Sequence, residues 1–272
     1  MIPAAFEYEV AESVDHAVEL LASSDGAKLI AGGHSLLPLM RLRVARPSLL
    51  VDVGRLGSHS YVREDGDRIA IGALTRHHDL AGDQLLRNRC GIVAHTASLI
   101  GDPQVRHRGT IGGSVAHGDP AADMPAVLLA LEAELVVRGP DGERAVSAAD
   151  FFRGVFDTAL GPQDVLCEIR VPQLDGGWSY LKFRRRSQDW ATVGVAAVGV
   201  DGGVRVALTN MAPTPVRAAG VEEALARGAD PASAAERAAE GATPTSDTAG
   251  SAAFREHLAR VLVRRALEEA LG

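Results

Sequence analysis

The sequence predicts a mixed α+β protein, a two-part α/β region followed by a smaller α+β unit, on three observations. From the N-terminus to about Asp175, helix-spaced apolar runs alternate with short apolar stretches and glycine-containing loops. At Pro172–Gly177 the chain turns polar and glycine-rich, which is a boundary signal. Beyond it, strand-like segments joined by Asp201-Gly202-Gly203 come first and helical runs come after, the order of an α+β unit.

Taken along the chain, Ser13 opens a helical pattern in which Val14, Ala17, Val18 and Leu21 share a face. A short strand, Lys28–Ala31, follows. It runs into Gly32-Gly33-His34-Ser35, after which Leu36-Leu37-Pro38-Leu39-Met40 starts a second helix and Ser48–Val53 a second strand. A second region is read as alternating likewise: strand Arg68–Ile71, a helix around Gln84–Ser98, a glycine-rich turn at Gly109–Ser114, and a helix near Pro125–Leu131, where proline suits a first turn. Strands Leu135–Arg138 and Val165–Val171 flank the Gly139-Pro140-Asp141-Gly142 turn. The last third reads as three strands and two helices: strands over Trp178–Thr209, a helix at Thr214–Arg227 and a long terminal helix from Ser251. Between those helices, Gly228–Gly250 is rich in small residues and proline, and part of it is expected to be a mobile surface segment. The expected domains are 1–175, with subdomains of about 1–55 and 56–175, and 176–272.

With 46% hydrophobic and 23% charged residues the chain is an ordinary soluble globular protein, neither disordered nor fibrous. Its 28 basic against 35 acidic side chains give no electrostatic reason to bind nucleic acid. Cys90 and Cys167 stand alone, outside any CxxC pattern, so no cysteine-built zinc or iron–sulfur site is encoded and any cluster belongs on another chain. The N-terminus lacks the basic start and apolar core of a signal peptide, and no apolar run nears the roughly 20 residues of a transmembrane segment. A cytoplasmic protein is expected.

Two loops carry the candidate chemistry. Ala31-Gly32-Gly33-His34-Ser35 sits at a strand end, where small residues let backbone N–H groups approach an anion such as a pyrophosphate; an ordinary glycine turn has the same appearance. Thr110-Ile111-Gly112-Gly113-Ser114 offers a second such loop, followed by Asp119 and Asp123. Asp123 can accept from ribose hydroxyls or cap the helix that follows, and both roles stay open. Neither GxGxxG after a strand nor GxxxxGK[ST] occurs, which argues against a Rossmann site and a P-loop. His34, His107 and His117 are scattered without a carboxylate at ligand spacing, so no metal site is expected. Arg184-Arg185-Arg186 is either a solvated or ion-paired run or a clamp for cofactor or partner carboxylates.

At this point a resemblance becomes specific. AGGHSLLPLMRLR, RGTIGGSVAHGDPAADMPAVLLAL and KFRRRSQDWATVGVA resemble, in order and spacing, the three signature segments of molybdenum-hydroxylase flavoprotein subunits, such as carbon monoxide dehydrogenase medium subunits and the xanthine dehydrogenase FAD domain. The resemblance covers essentially the whole chain. It implies an FAD-binding fold of the vanillyl-alcohol oxidase type in two subdomains, followed by a small α+β C-terminal domain. By the same resemblance Leu29, Ile30, Ala31, Gly32, Gly33, His34, Ser35 and Leu36 wrap the pyrophosphate, and Thr110, Gly112, Gly113 and Ser114 lie on the facing loop. Asp123 binds the adenosine end, Ile100 and Leu166 make apolar cofactor contacts, and Lys182 is a basic contact near the flavin. Asp189 and Trp190 match an Asp-Tyr of many relatives beside the isoalloxazine; the indole keeps the ring and lacks the hydroxyl. Ser114 stands where many relatives have asparagine.

The implied activity is electron relay by FAD, with no catalytic side chain of this chain's own. Electrons arrive from a small iron–sulfur subunit with [2Fe-2S] clusters, a large subunit holds the molybdopterin cofactor and substrate, and the assembly is a dimer of heterotrimers. Two other functions fit the bare motifs: a stand-alone FAD-dependent oxidoreductase, against which the short C-terminal unit argues, and a non-catalytic nucleotide-binding assembly module.

Overall fold

The computed structural model describes residues 1–272. At the N-terminus, the Ser13 hydroxyl caps helix Val14–Ser23 by accepting from the His16 N–H, and Ala17, Val18 and Leu21 are buried as their spacing predicts. That face covers a three-stranded parallel sheet in which Leu49–Asp52 lies between Glu7–Val10 and Lys28–Ile30. The edge strand Glu7–Val10 was not legible in the sequence, because its residues are largely exposed and carry no apolar alternation.

The second subdomain departs from the expected α/β alternation. Its sheet runs in the spatial order Val62–Asp65, Arg68–Gly72, Val165–Pro172, Glu134–Gly139, Gly142–Ser147, and each neighbouring pair is antiparallel. Two hairpins, one from each end of the segment, are zipped together by Val165–Pro172, and the helices lie between them in sequence. Ile69, Ile71, Leu135, Val137 and Ile169 share one buried core with those helices. The helix expected over Gln84–Ser98 is two, Gln84–Arg89 and Gly91–Ser98, because Cys90 leaves helical geometry at φ −154° and ψ 57°. Gly91 then lies flat beneath the Trp178 indole, where a β-carbon would be 2.5 Å from the ring. Helix Asp123–Ala130 is buried along its whole length.

The C-terminal unit has four strands rather than three: Trp178–Phe183, Val193–Val200, Gly203–Thr209 and the two-residue Val216–Arg217. Pro213 and Pro215 hold Thr214 out of helical geometry, so the predicted helix Thr214–Arg227 shrinks to Ala219–Ala226 and its first residues add an edge strand beside Ala207 and Leu208. The expected mobile stretch within Gly228–Gly250 is instead packed. It contains helix Pro231–Ala235 and buries Ala234, Ala235 and Ala238 against the terminal helix Ala252–Leu271. Arg255 of that helix, 1% exposed, donates to the Thr192 carbonyl at 2.6 Å and pairs with Asp247 at 2.6 Å, which pins the segment down.

The C-terminal sheet has two apolar faces. Val195, Ala197, Val206 and Leu208 meet the terminal helices, while Tyr180, Ala196, Val198 and Ala207 join the core of the second subdomain. Burial on both sides explains why these strands read as continuous apolar runs. No helix is long and apolar enough to cross a membrane.

His77 lies 2% exposed against Gly109, with its Nδ1 unpartnered, and burial followed by the nearby Arg106 charge lowers its pKa from 6.5 to about 4. The imidazole therefore stays neutral in the folded chain where the unfolded chain takes up a proton, and stability is lost as pH falls below the unfolded value. Urea unfolding is expected to show the wild type losing about 2 kcal/mol more than His77→Leu between pH 7 and pH 5, at roughly 1.4 kcal/mol per pH unit. Parallel pH profiles for the two proteins would contradict this.

Candidate functional site

The first glycine loop follows strand Lys28–Ile30, which carries Leu29 and Ile30. The loop turns back through Gly33 at φ +76°, and Leu36 begins the short helix Leu36–Arg41. The backbone N–H groups of Gly32, Gly33, His34, Ser35 and Leu36 make no hydrogen bond within the chain. Five successive unpaired donors are able to hold an anion, and each N–H given to a phosphate oxygen is worth about 1.5–3 kcal/mol. Gly32 has a separate, steric reason to be glycine: a β-carbon there would collide with the Arg108 carbonyl and Gly109. The loop of the first subdomain thus lies backbone to backbone on the second.

The segment after Gly109 is not the expected turn. Thr110 is the N-cap of helix Ile111–His117, its hydroxyl oxygen accepting from the Gly113 N–H at 3.1 Å. Glycines at 112 and 113 disfavour a helix by propensity, and packing overrides them. A β-carbon on Gly112 would lie 2.6 Å from the Ala73 carbonyl oxygen, and the Gly112 N–H already donates to that oxygen. Gly112 is therefore a packing glycine of the helix–sheet contact, with its N–H already used inside the chain. Gly113 is different: it is exposed, and a β-carbon there would meet only its own cap, Thr110 Oγ1. Ser114 follows, half-buried.

Asp123 heads helix Asp123–Ala130 without capping it; the N-cap is Ala122 and no side chain bonds there. Its carboxylate points across to the C-terminal unit. Tyr180 Oη donates to Oδ1 at 2.6 Å and Lys182 Nζ donates to Oδ2 at 2.9 Å. Tyr180 and Lys182 alternate on one strand, so they share its face. The Lys182 and Asp123 side chains are 3% and 6% exposed. Burial pushes the Asp123 carboxyl above the ordinary carboxylate range, against the opposing pull of Lys182 and Tyr180. Burial and then the Asp123 charge hold the Tyr180 hydroxyl well above its usual value, so it stays protonated and donates. Lys182 makes no other hydrogen bond, and a buried ammonium with one acceptor for three protons has donors to spare for a ligand. Asp123 and Lys182, expected at the adenosine end and near the flavin respectively, are joined in one ion pair.

Asp189 and Trp190 lie on the loop after strand Trp178–Phe183. With Asp119 and Ala121 from the turn before Asp123, they line a cleft of about 300 Å³, and Trp190 is 67% exposed at its lip. The Asn210 N–H closes on the Pro120 carbonyl below. The three arginines do three different things: Arg184 reaches the Leu99 carbonyl at 3.4 Å, Arg185 bonds the Thr248 carbonyl, and Arg186 lies 3.7 Å from Asp189. Ile100 packs half-buried at the rim of the large core, its carbonyl held by Arg106, and Leu166 is buried in that core next to an irregularity in the strand pairing.

The structure brings the two glycine segments together through Gly32 and residues 108–109, and brings Asp123 together with Lys182. Residues 4–174 match the family described as the FAD binding domain in molybdopterin dehydrogenase. The chain belongs to that family. Residues 178–270 match the CO dehydrogenase flavoprotein C-terminal domain. The carbon monoxide dehydrogenase medium chain of Hydrogenophaga pseudoflava is 44% identical over 99% of this chain and 98% of its own length. The carbon monoxide dehydrogenase structure from Hydrogenophaga pseudoflava that lacks the Mo-pyranopterin moiety superimposes with a TM-score of 0.94, covering 100% of this chain and 99% of that one. Quinoline 2-oxidoreductase from Pseudomonas putida 86 does so at 0.94 with 31% identity, covering 99% and 98%. The family binds FAD, and the residues present suit it: a row of free amides for phosphate, an open glycine opposite, and a buried cation with unused donors.

Sequence reasoning missed Tyr180. The only signal available was its place two residues before Lys182 in a strand, which puts both on one face without showing what they meet. Removing the Lys182 charge leaves a buried carboxylate short of its cation, so Lys182→Met is expected to cost about 3 kcal/mol in chemical unfolding at pH 7. The Asp123 pKa then rises further above its unfolded value, so the loss shrinks as the pH is lowered. A loss that does not change with pH would refute the ion pair's place in stability.

Proposed function

We propose that this chain is the FAD-carrying electron-transfer subunit of a heterotrimeric molybdenum hydroxylase, which takes electrons from an iron–sulfur subunit and passes them to a terminal acceptor. The observation that carries the proposal is the likeness to a carbon monoxide dehydrogenase medium chain along both whole lengths, C-terminal unit included. Bound FAD supplies reversible uptake and release of electrons.

In this function the chain's own residues bind and orient. The amides of Gly32–Leu36 hold the pyrophosphate from one side, backed by Leu29, Ile30 and Ala31, while Gly113 leaves room on the other and the hydroxyls of Thr110 and Ser114 remain able to donate. Asp123 and Lys182 present an acceptor and a cation to one part of the cofactor, Ile100 and Leu166 give apolar contact, and Asp189 with Trp190 flanks the flavin. Residues 1–175 form the FAD-binding domain, and 176–272 the C-terminal domain that completes the site by supplying Lys182, Asp189 and Trp190. The partner subunits hold the [2Fe-2S] clusters and the molybdopterin cofactor. A dimer of heterotrimers in the cytoplasm is proposed on the family resemblance alone.

The test is the complex co-expressed with its two partner subunits. Extraction should yield about one FAD per copy of this chain, and substrate should bleach the flavin absorbance. Because a side chain at position 113 meets only the Thr110 hydroxyl, Gly113→Leu should leave the complex assembled while lowering FAD content at least about tenfold, the loss of one to two charge-assisted hydrogen bonds. Full FAD content in that variant would overturn the placement of the cofactor, and a complex without flavin would overturn the function.

A further inference from the structure

We propose that Tyr180 is a positioning residue for the FAD site: by occupying one oxygen of Asp123 it confines Lys182 to the other and leaves the lysine's remaining protons for the cofactor. The inference rests on the FAD-binding function proposed above.

The geometry is specific. Tyr180 is 1% exposed, and its hydroxyl reaches Asp123 Oδ1 at 2.6 Å while Lys182 holds Oδ2 at 2.9 Å. The phenol is confined on its other side. A β-carbon on Gly194 would stand 2.7 Å from Tyr180 Oη and 3.2 Å from Thr209 Oγ1, so the glycine makes the room that the hydroxyl fills. Thr209 Oγ1 is buried beside this hydroxyl, has no other partner, and opposes the burial that holds the phenol protonated. Tyr180 and Lys182 lie on the strand of one domain and Asp123 on the helix of the other, so the hydroxyl fixes the carboxylate's rotation about its own axis as well as the seating of one domain on the other.

The consequence concerns charge. With both carboxylate oxygens open, an ammonium has a second acceptor within reach for another of its three protons. With Oδ1 closed by Tyr180, Lys182 bonds one oxygen and keeps two donors. By the family resemblance Lys182 lies near the flavin, where a cation so held would favour the electron-rich reduced form over the oxidised form and raise the midpoint potential.

The experiment uses the assembled heterotrimer with Tyr180→Phe, Lys182→Gln and the double variant. Tyr180→Phe is expected to weaken FAD retention about tenfold, near the worth of one charge-assisted hydrogen bond, and to move the flavin midpoint potential to more negative values. In the Lys182→Gln background, adding Tyr180→Phe should move the potential no further, because the effect passes through the lysine. Two results overturn the proposal: an unchanged potential in Tyr180→Phe, whatever its thermal stability, or an equal shift with and without Lys182. FAD in the wild-type complex separates failure of this inference from failure of the proposed function, since a flavin-free wild type sinks both. Should Tyr180→Phe not assemble, Thr209→Val, which alters the far side of the same hydroxyl, is expected to reproduce a smaller negative shift, and its absence overturns the proposal equally.

Discussion

A carboxylate withdrawn from water has to find its partners inside the protein, and Asp123 finds both of them on a different domain. Tyr180 and Lys182 supply the two bonds that make the buried charge tolerable, and they arrive only when the C-terminal sheet is seated on the helix headed by Asp123. Apolar burial of Ala196, Val198 and Ala207 brings the surfaces together, but apolar contact has no direction and would accept small slips. The ion pair with its phenol accepts very few. The cleft lined by Asp119, Trp190 and Asn210 inherits its shape from that registration.

A second constraint works at the opposite wall. Gly32 touches the backbone at 108–109 with no side chain between, and Gly112 touches Ala73 in the same way, so both glycine segments are held by close backbone approach. The amides of Gly32–Leu36 are therefore aimed before any anion arrives, and binding need not order the loop first. Two rigid contacts, one polar and one steric, join the three signature segments to one another: Gly32 to the backbone at 108–109, and Asp123 to Lys182.

Much of this was legible in the sequence, and the failures have identifiable causes. Helix Val14–Ser23 was visible because a cap and a 3.6-residue apolar spacing coincide, and strand Lys28–Ile30 because its apolar run ends in glycines. The helix Ile111–His117 was hidden because Gly112 and Gly113 carry a turn signature locally, and the packing contact of Gly112 lies far away in sequence, at Ala73. The antiparallel pairing of Glu168 with Gly72 was hidden likewise, since strand order is a non-local choice. The candidate site was half legible. Small residues mark where backbone comes close, so the glycine loops stood out; the Tyr180–Asp123–Lys182 cluster has no spacing signature, and only the family resemblance singled out two of its three members.

The two tryptophans of this chain sit in contrasting places: Trp178 is pressed over Gly91 against a helix, and Trp190 stands open at the lip of the cleft. An indole emits light in the near ultraviolet at wavelengths that an oxidised isoalloxazine absorbs, and the transfer between them falls off steeply with distance. In the proposed function Trp190 is a fluorescent reporter at the mouth of the site, and Trp178, held over Gly91 and beside His95, is the second emitter whose light has to be separated from it.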